Sequence, residues 1–447
     1  MPEDEVLEQV WPDEAERRRS REQFKEIQRF IEDEFDRQAE LMGSLAKGTF
    51  LAGDKDLDIF VFFDADTSGE ILEEDGLAIG EAVFDRFDGT YEVEFAEHPY
   101  TKGEIDGFEV EIVPAYDIDS PAELKSSVDR TPLHTEWVNN ALSTEEKREV
   151  VLLKAFLKGR GLYGSSLRVE GFSGYLCELL IAEYGGFRSL LKAAVDWERE
   201  TVIDVADHHD GLPEELAEKF ADEDLVVIDP TDPERNVASV LSSENYARFI
   251  YEAWRYLQEP SLDAFFPEEP VVDPDRLEEE LDAHGTFVVL ELDRPDVVDD
   301  ILYPQLRRLM RRLRQEMVGR GFELFDSGFH VTEDRVRLVF DPLVEELPDR
   351  VKHHGPAVFH NEEHLQQFTE AYDRVWVEDD RLVTVVEREH TTPREVLAAF
   401  LDGDLPEQGV PGNLVEPMQD ASFVDVRPGG EDWDRFLWSF LHLEGNV

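Results

Sequence analysis

The stretch Asp56-Leu57-Asp58-Ile59-Phe60-Val61-Phe62-Phe63 constrains this chain more than any other. Its β-branched and aromatic residues favour a strand. A strand's two-residue period sends Asp56 and Asp58 out of one face and Leu57 and Ile59 out of the other. The segment therefore folds with one side in a core and two carboxylates side by side on the opposite face. Glu109-Val110-Glu111-Ile112-Val113 repeats the arrangement, with Glu109 and Glu111 opposite Phe108, Val110 and Ile112, and Pro114 is expected to end it. Paired carboxylates repel unless a cation neutralises them, and hard oxygen donors suit Mg2+. A third acid from the second strand would complete a two-metal site, which activates an attacking oxygen and stabilises a leaving phosphate. In a chain this acidic, a solvated acidic face is the alternative reading of the pairs taken alone.

The acid excess is itself informative. There are 105 Asp and Glu against 44 Lys and Arg in 447 residues, a net charge of −61, yet 41% of residues are hydrophobic and 11% aromatic. That is ample core material, so the chain is no disordered acidic tail, and its length suits about three domains. Such a charge ordinarily repels nucleic acid. In molar salt, however, the Debye length falls to about 3 Å. The acids are spread along the chain and Arg outnumbers Lys, which points to a halophilic cytoplasm. RNA stays admissible as a partner, and the few cations become more telling. The single cysteine, Cys177, excludes a disulfide framework and a multi-cysteine metal site, and reads as a buried small hydrophobe. The N-terminus carries no secretory pattern, and no apolar run reaches the ~18 residues of a membrane span. A cytoplasmic protein is expected.

Along the chain, Phe24, Ile27, Ile31 and Phe35 predict a helix over Glu22–Gln38, followed by a short strand at Glu40-Leu41-Met42. Helices are expected over Glu145–Gly159 and Gly174–Tyr184. Pro and acidic residues between Gln258 and Asp275 mark a boundary. Beyond it Thr286–Leu292, a helix Pro295–Val318, Phe322–Phe329 and Arg335–Phe340 form a β-α-β-β series, half of a ferredoxin-like α+β domain. From Val351 onward short strands and helices mix.

Between the short strand and the Asp-x-Asp pair lies Gly43-Ser44-Leu45-Ala46-Lys47-Gly48-Thr49. Backbone N–H groups at a helix start, a hydroxyl and a lysine make a phosphate cradle, although the Walker A spacing is absent. A cradle beside Asp-x-Asp, then a carboxylate strand, resembles the nucleotidyltransferase superfamily of DNA polymerase β. Finer matches are Glu109–Pro114, Arg130-Thr131-Pro132-Leu133-His134, Leu153–Lys158, Gly171–Leu180 and Asp229–Ala238. With these the chain resembles the archaeal, class I CCA-adding enzymes, strongly through Ala238 and more weakly through the β-α-β-β series and His354–Val358.

The resemblance implies an α+β multidomain fold: a polymerase-β-like catalytic head over 1–140, a mostly helical nucleotide- and base-selecting domain over 141–258, and a ferredoxin-like tRNA-binding body and tail over 259–447. It implies untemplated addition of C, C and A from CTP and ATP to the tRNA 3′ end, with Mg2+ as cofactor and a homodimer as assembly. Asp56 and Asp58 would bind both metal ions. The third ligand, typically Asp in the family, falls on Glu111, one methylene longer, with Glu109 on the same face as the fallback. Ser44 and Lys47 would hold the triphosphate, and His134, Lys154 and Tyr163 would contact the nucleotide. Arg235 would help read the base.

Each position also has a bland reading: an exposed helix lysine for Lys154, a turn cap for His134, a half-buried aromatic for Tyr163, and a salt bridge to Asp232 or Glu234 for Arg235. Asp207-His208-His209-Asp210 looks like a metal or phosphoesterase motif but reads better as a polar loop, and His353-His354 is equally weak. Arg307, Arg308, Arg311, Arg312 and Arg314 crowd one side of a helix whose apolar stripe is Leu306, Leu309, Met310, Leu313 and Met317. That patch faces either tRNA phosphates or neighbouring acids. The rival functions are a poly(A) polymerase or oligoadenylate synthase on the same catalytic core, and a catalytically silent RNA-binding protein.

Overall fold

The computed structural model describes residues 2–442 except 96–97, 119, 127, 210, 212, 269–270 and 360–361. The chain divides into two compact units, Met1–Glu268 and Glu269–Val447.

The first unit opens with helices α1 (Pro2–Val10) and α2 (Glu14–Phe35). Asp13 caps α2 by accepting the Glu16 N–H, and the helix stops where Asp36 turns left-handed. It starts earlier than its apolar spacing suggests, because its first two turns are almost wholly polar. Then follow β1 (Ala39–Leu41), the five-residue turn α3 (Gly43–Lys47), β2 (Asp56–Asp64), α4 (Gly69–Arg86), β3 (Thr90–Phe95), β4 (Pro99–Ile105) and β5 (Phe108–Asp117). They form one sheet, ordered β1-β2-β5-β4-β3, in which β2 and β5 are parallel and every other pair antiparallel. Leu57, Ile59, Val61 and Phe63 of β2 join Val110 and Ile112 of β5 in a core with Ile27, Ile31, Leu72, Ile79, Val83 and Phe84.

Pro114 does not end β5, which continues to Asp117. The β4 ladder stops at Thr101 opposite Ile112. Beyond that point β5 has only β2 beside it, so a missing N–H costs nothing on the open flank. The proline ring lies against Gly76 of α4, where a Cβ would come within 2.7 Å of it.

The rest of this unit is mainly helical: α5 (Arg130–Ala141), α6 (Thr144–Gly159), α7 (Gly174–Tyr184), α8 (Phe187–Ala194), β6 (Thr201–Ile203), α9 (Glu214–Lys219), β7 (Leu225–Asp229), β8 (Asp232–Asn236) and α10 (Ser243–Gln258). A capping box between Ser143 and Glu146 starts α6, and the Ser173 hydroxyl accepts the Leu176 N–H at the start of α7. Leu153, Phe156, Leu179, Leu180, Phe187 and Phe249 centre a second core, which also takes in Val6 and Val10 of α1.

The second unit contains α11 (Pro274–His284), β9 (Val288–Asp293), α12 (Asp299–Gly319), β10 (Leu324–Val331), β11 (Arg335–Pro342), β12 (Arg350–Ala357), α13 (Glu362–Ala371), β13 (Trp376–Glu378), β14 (Arg381–Glu387), α14 (Pro393–Leu401), α15 (Val415–Gln419), β15 (Ser422–Val424) and α16 (Glu431–His442). Its main sheet runs β10-β11-β9-β15, all antiparallel. With α12 and α14 this is the whole β-α-β-β-α-β ferredoxin-like topology. Only the first four elements are contiguous in sequence. Residues 350–387 interpose a separate three-stranded sheet, β12-β14-β13, before α14 and β15 complete the domain. Leu306, Leu313 and Phe400 pack on one face of the main sheet, and Leu277, Leu281, Trp433 and Leu437 on the other. No helix of the described residues is long and apolar enough to cross a membrane.

Candidate active site

Strand register builds the acidic face. In the parallel pair β2–β5, Asp56 lies opposite Glu109 and Asp58 opposite Glu111, so four carboxylates form a square on the side away from the core. Burial and crowding both show in the proton affinities of the two aspartates. Burial, then the charges of Glu111 and Asp56, push Asp58 up to about 7. Asp56 is raised too, by burial, Asp54 and Glu109. Lys102, opposite Glu111 on β4, places its Nζ 2.5 Å from Glu109 Oε1 and 2.9 Å from Glu111 Oε1. Burial alone would lower the Lys102 ammonium, but its hydrogen bonds to the two glutamates more than offset that and hold it firmly charged.

Gly43 is fixed by the same acid. The Met42 N–H donates to the Asp58 carbonyl at 2.8 Å. Gly43 has φ +65°, and a Cβ there would fall 1.7 Å from Asp58 Oδ2. Only glycine satisfies both the left-handed backbone and the close approach. Ser44, half-buried, follows on α3.

The acids fit a divalent ion chemically: they are hard oxygen donors, and Asp58 is raised by burial and by repulsion from Glu111 and Asp56 that a cation would relieve. As they stand, no three acid, imidazole or thiol side chains among the described residues converge tightly enough to hold one. Asp56 and Asp58 are adjacent, while Lys102 draws Glu109 and Glu111 to itself.

Behind α3 lies a buried charge network. Lys47 is buried, with Nζ 2.9 Å from Glu178 Oε2 and 5.1 Å from the Tyr175 ring centroid. Thr49 Oγ1 donates to Glu178 Oε1 at 2.6 Å. Lys154 is no exposed helix lysine: it is 2% exposed, donates to the Thr49 carbonyl at 3.0 Å and lies 3.7 Å from Glu178 Oε1. Desolvation opposes the charge on Glu178, but Lys47 and Lys154 outweigh it and hold the carboxyl below its usual range. Burial lowers the Lys154 ammonium. The Tyr163 hydroxyl and Lys154 Nζ converge on Gly174, where a Cβ would lie 3.2 and 3.3 Å from them. Burial raises the Tyr163 hydroxyl well above its ordinary range.

A third group centres on Asp229, at the end of β7 and wholly buried. Its Oδ2 accepts from Arg235 Nη1 at 2.8 Å and lies 2.9 Å from His134 Nε2. Its Oδ1 accepts from the Tyr175 hydroxyl at 3.1 Å and from the Thr231 N–H and hydroxyl at 2.9 and 2.8 Å. Desolvation would raise this carboxyl, but the bonds from His134 and Thr231 hold it well below the usual carboxylate range. An ionised Asp229 fixes the Nε2–H tautomer of His134. The His134 ring stacks on Tyr175 at 3.9 Å, and burial lowers its pKa. The salt bridge of Arg235 is thus to Asp229, while Asp232 pairs with Arg130 at 3.3 Å.

Tyr175 joins the last two groups, touching Lys47 on one side and His134 on the other. The ten residues to which the resemblance assigns a place in the site, Glu109 included, therefore lie along one connected stretch of the first unit. Asp229, Glu178, Tyr175 and Lys102 complete it. Sequence reasoning gave them no role, although the first three lie inside motifs that it singled out.

Residues 21–134 match the family model for the nucleotidyltransferase domain, 148–266 that for the tRNA nucleotidyltransferase second domain, and 284–404 that for the CCA-adding enzyme C-terminal domain. The CCA-adding enzyme of Methanocaldococcus jannaschii is 39% identical over 88% of this chain and 86% of its own. That of Archaeoglobus fulgidus is 39% identical over 88% of each chain. That of Halorubrum lacusprofundi is 43% identical over 81% of this chain and 80% of its own. The chain belongs to the CCA-adding enzyme family.

The remaining motifs of the sequence do not belong to this group. His208 Nε2 lies 2.9 Å from the Pro230 carbonyl and His209 Nε2 3.0 Å from that of Pro233, so these rings tie a loop to its neighbour, while Asp210 lies outside the described residues. His353 stacks on Phe368. Cys177 is buried, its thiol pushed up to about 12 by desolvation. On α12, Arg312 is taken by Glu316 and the Gln408 carbonyl, whereas Arg308, Arg311 and Arg314 are exposed.

Two stability predictions follow from these charges. Glu178→Gln leaves two buried lysines facing a neutral amide and should lose about 3–5 kcal/mol, read by urea unfolding at fixed KCl. Asp58→Asn should do the reverse in metal-free protein. A carboxyl raised in the folded state binds more protons there than when unfolded, so its contribution worsens as pH rises from about 4 to 7. The variant should therefore be more stable than wild type at about pH 8, by about 1–3 kcal/mol, with the gap closing near pH 4. Thermal melts across that range check both sign and window.

Proposed function

We propose that Asp56, Asp58 and Glu111 carry the nucleotidyl transfer of CCA synthesis: the 3′-hydroxyl of a tRNA attacks the α-phosphate of CTP or ATP, and pyrophosphate leaves. The observation that carries this reading is the parallel register that sets Asp58 beside Glu111 on a solvent-facing sheet. Nucleotidyltransferases generally use divalent ions. Asp56, Asp58 and Glu111 would hold Mg2+, whose charge would favour the attacking oxygen and the leaving one.

The chain's own residues bind and orient. Gly43 lets the Ser44 turn approach Asp58, placing its hydroxyl and N–H groups for the triphosphate. Lys47 acts from behind that turn, its charge partly met by Glu178. Lys154 and Tyr163 line the side nearest Gly174, and neutral His134, fixed by Asp229 and Tyr175, contributes a planar ring beside the nucleotide. Arg235 is held at one edge by Asp229, and the rest of its planar donor fork is available to a base edge. Residues 1–140 thus supply catalysis, 141–258 nucleotide selection and 259–447 the tRNA grip. The exposed arginines of α12 meet backbone phosphates, and the duplex is recognised by shape. The same reading places the enzyme in the cytoplasm as a homodimer.

Transfer to defined tRNAs, with Mg2+ in molar KCl, tests this. CTP alone should add two residues to a tRNA ending before the CCA, and ATP alone one residue to a tRNA ending in C-C. ATP tailing without a stop would favour a poly(A) polymerase. Asp58→Ala should reduce transfer by about a thousandfold or more while tRNA binding persists, and unchanged transfer would refute the site assignment.

A further inference from the structure

Lys102 has no part in the reaction as described, yet it touches two of the four carboxylates. We propose that it is the site's own counter-cation: its ammonium neutralises Glu109 and Glu111 until a divalent ion enters, and so lowers that ion's affinity. The inference rests on the metal-site reading above.

Its position follows from topology. β4 lies antiparallel to β5 with Lys102 opposite Glu111, so the side chain leaves the acidic face one strand over and spans both glutamates. The side chain is 28% exposed and makes two ion pairs, of 2.5 and 2.9 Å. Isolated exposed pairs lose most of their value in salt. A contact this short lies within the ~3 Å Debye length of molar salt and keeps its strength. The partners are the acids that lie opposite Asp56 and Asp58, so the ammonium sits within the same cluster of four carboxylates. The residue type suits exchange. A lysine is a point charge on a flexible stem, easily drawn out to water, whereas an arginine fork would grip a carboxylate bidentately. Entry of a divalent ion at Asp56 and Asp58 would then release Glu111 from Lys102 to join it.

The test is Mn2+ binding to the full chain, followed by the paramagnetic resonance of free Mn2+, with thermal melts of the metal-free protein alongside. Lys102→Met should bind Mn2+ about tenfold or more tightly than wild type, because a like charge a few ångströms away has gone. It should also melt lower without metal and recover with Mn2+. Lys102→Arg should bind no more tightly than wild type. Unchanged or weaker binding by Lys102→Met would overturn the proposal. Should that variant not fold, Lys102→Met with Glu109→Gln keeps the net charge of the cluster. It should bind Mn2+ within about threefold of wild type, and a larger loss would mean that Lys102 positions Glu111 for the ion, against the proposal. Asp58→Asn separates the two readings: if it binds Mn2+ as wild type does, the metal site itself is misassigned.

Discussion

Four carboxylates held in a square on adjacent strands repel one another, and most of what surrounds them serves to sustain that arrangement. The opposite side chains of the same strands, Leu57, Ile59, Val110 and Ile112, are buried, so the register cannot slip without expelling them from the core. Gly43 removes the side chain that would collide with Asp58, and Lys102 supplies a positive charge where two acids meet. Burial and the repulsion that remains together raise the proton affinity of Asp58. A site in that condition is poised for a cation, at the expense of stability in its absence.

Two buried acids extend the site from the sheet into the helical part of the first unit. Glu178 on α7 answers the lysines of α3 and α6, and Asp229 on β7 gathers His134, Tyr175 and Arg235. Neither faces a partner of equal and opposite charge alone. Each carboxylate accepts several donors, which is what makes a buried charge tolerable. The groups proposed to meet the nucleotide are therefore fixed by contacts between segments far apart in sequence, and their arrangement is set by folding of the whole unit.

That explains which parts could be read from the sequence. The acid strands were legible because a two-residue period shows directly which side chains share a face, and Gly43 and Ser44 because they precede that strand. Asp229 and Glu178 were not, since nothing local separates a hub from any other acid in so acidic a chain. Lys47 and Glu178 meet across 131 residues. For the same reason Arg235 was matched with its sequence neighbours, although its partner lies across a hairpin. Half of the ferredoxin-like domain escaped detection because an inserted sheet separates α14 and β15 from the rest. Pro114 misled because its effect depends on whether a neighbouring strand is present.

On the proposed reading the β2–β5 acids and the Asp229 cluster form one nucleotide site. Diffraction from crystals grown with Mn2+ and a non-transferable CTP analogue, recorded at the manganese absorption edge, tests it most directly. Anomalous peaks ligated by Asp56 and Asp58 are expected, with Glu111 turned away from Lys102, the triphosphate at Ser44 and the cytosine edge at Arg235. Manganese bound away from these acids, or a nucleotide that leaves Arg235 untouched, would contradict it.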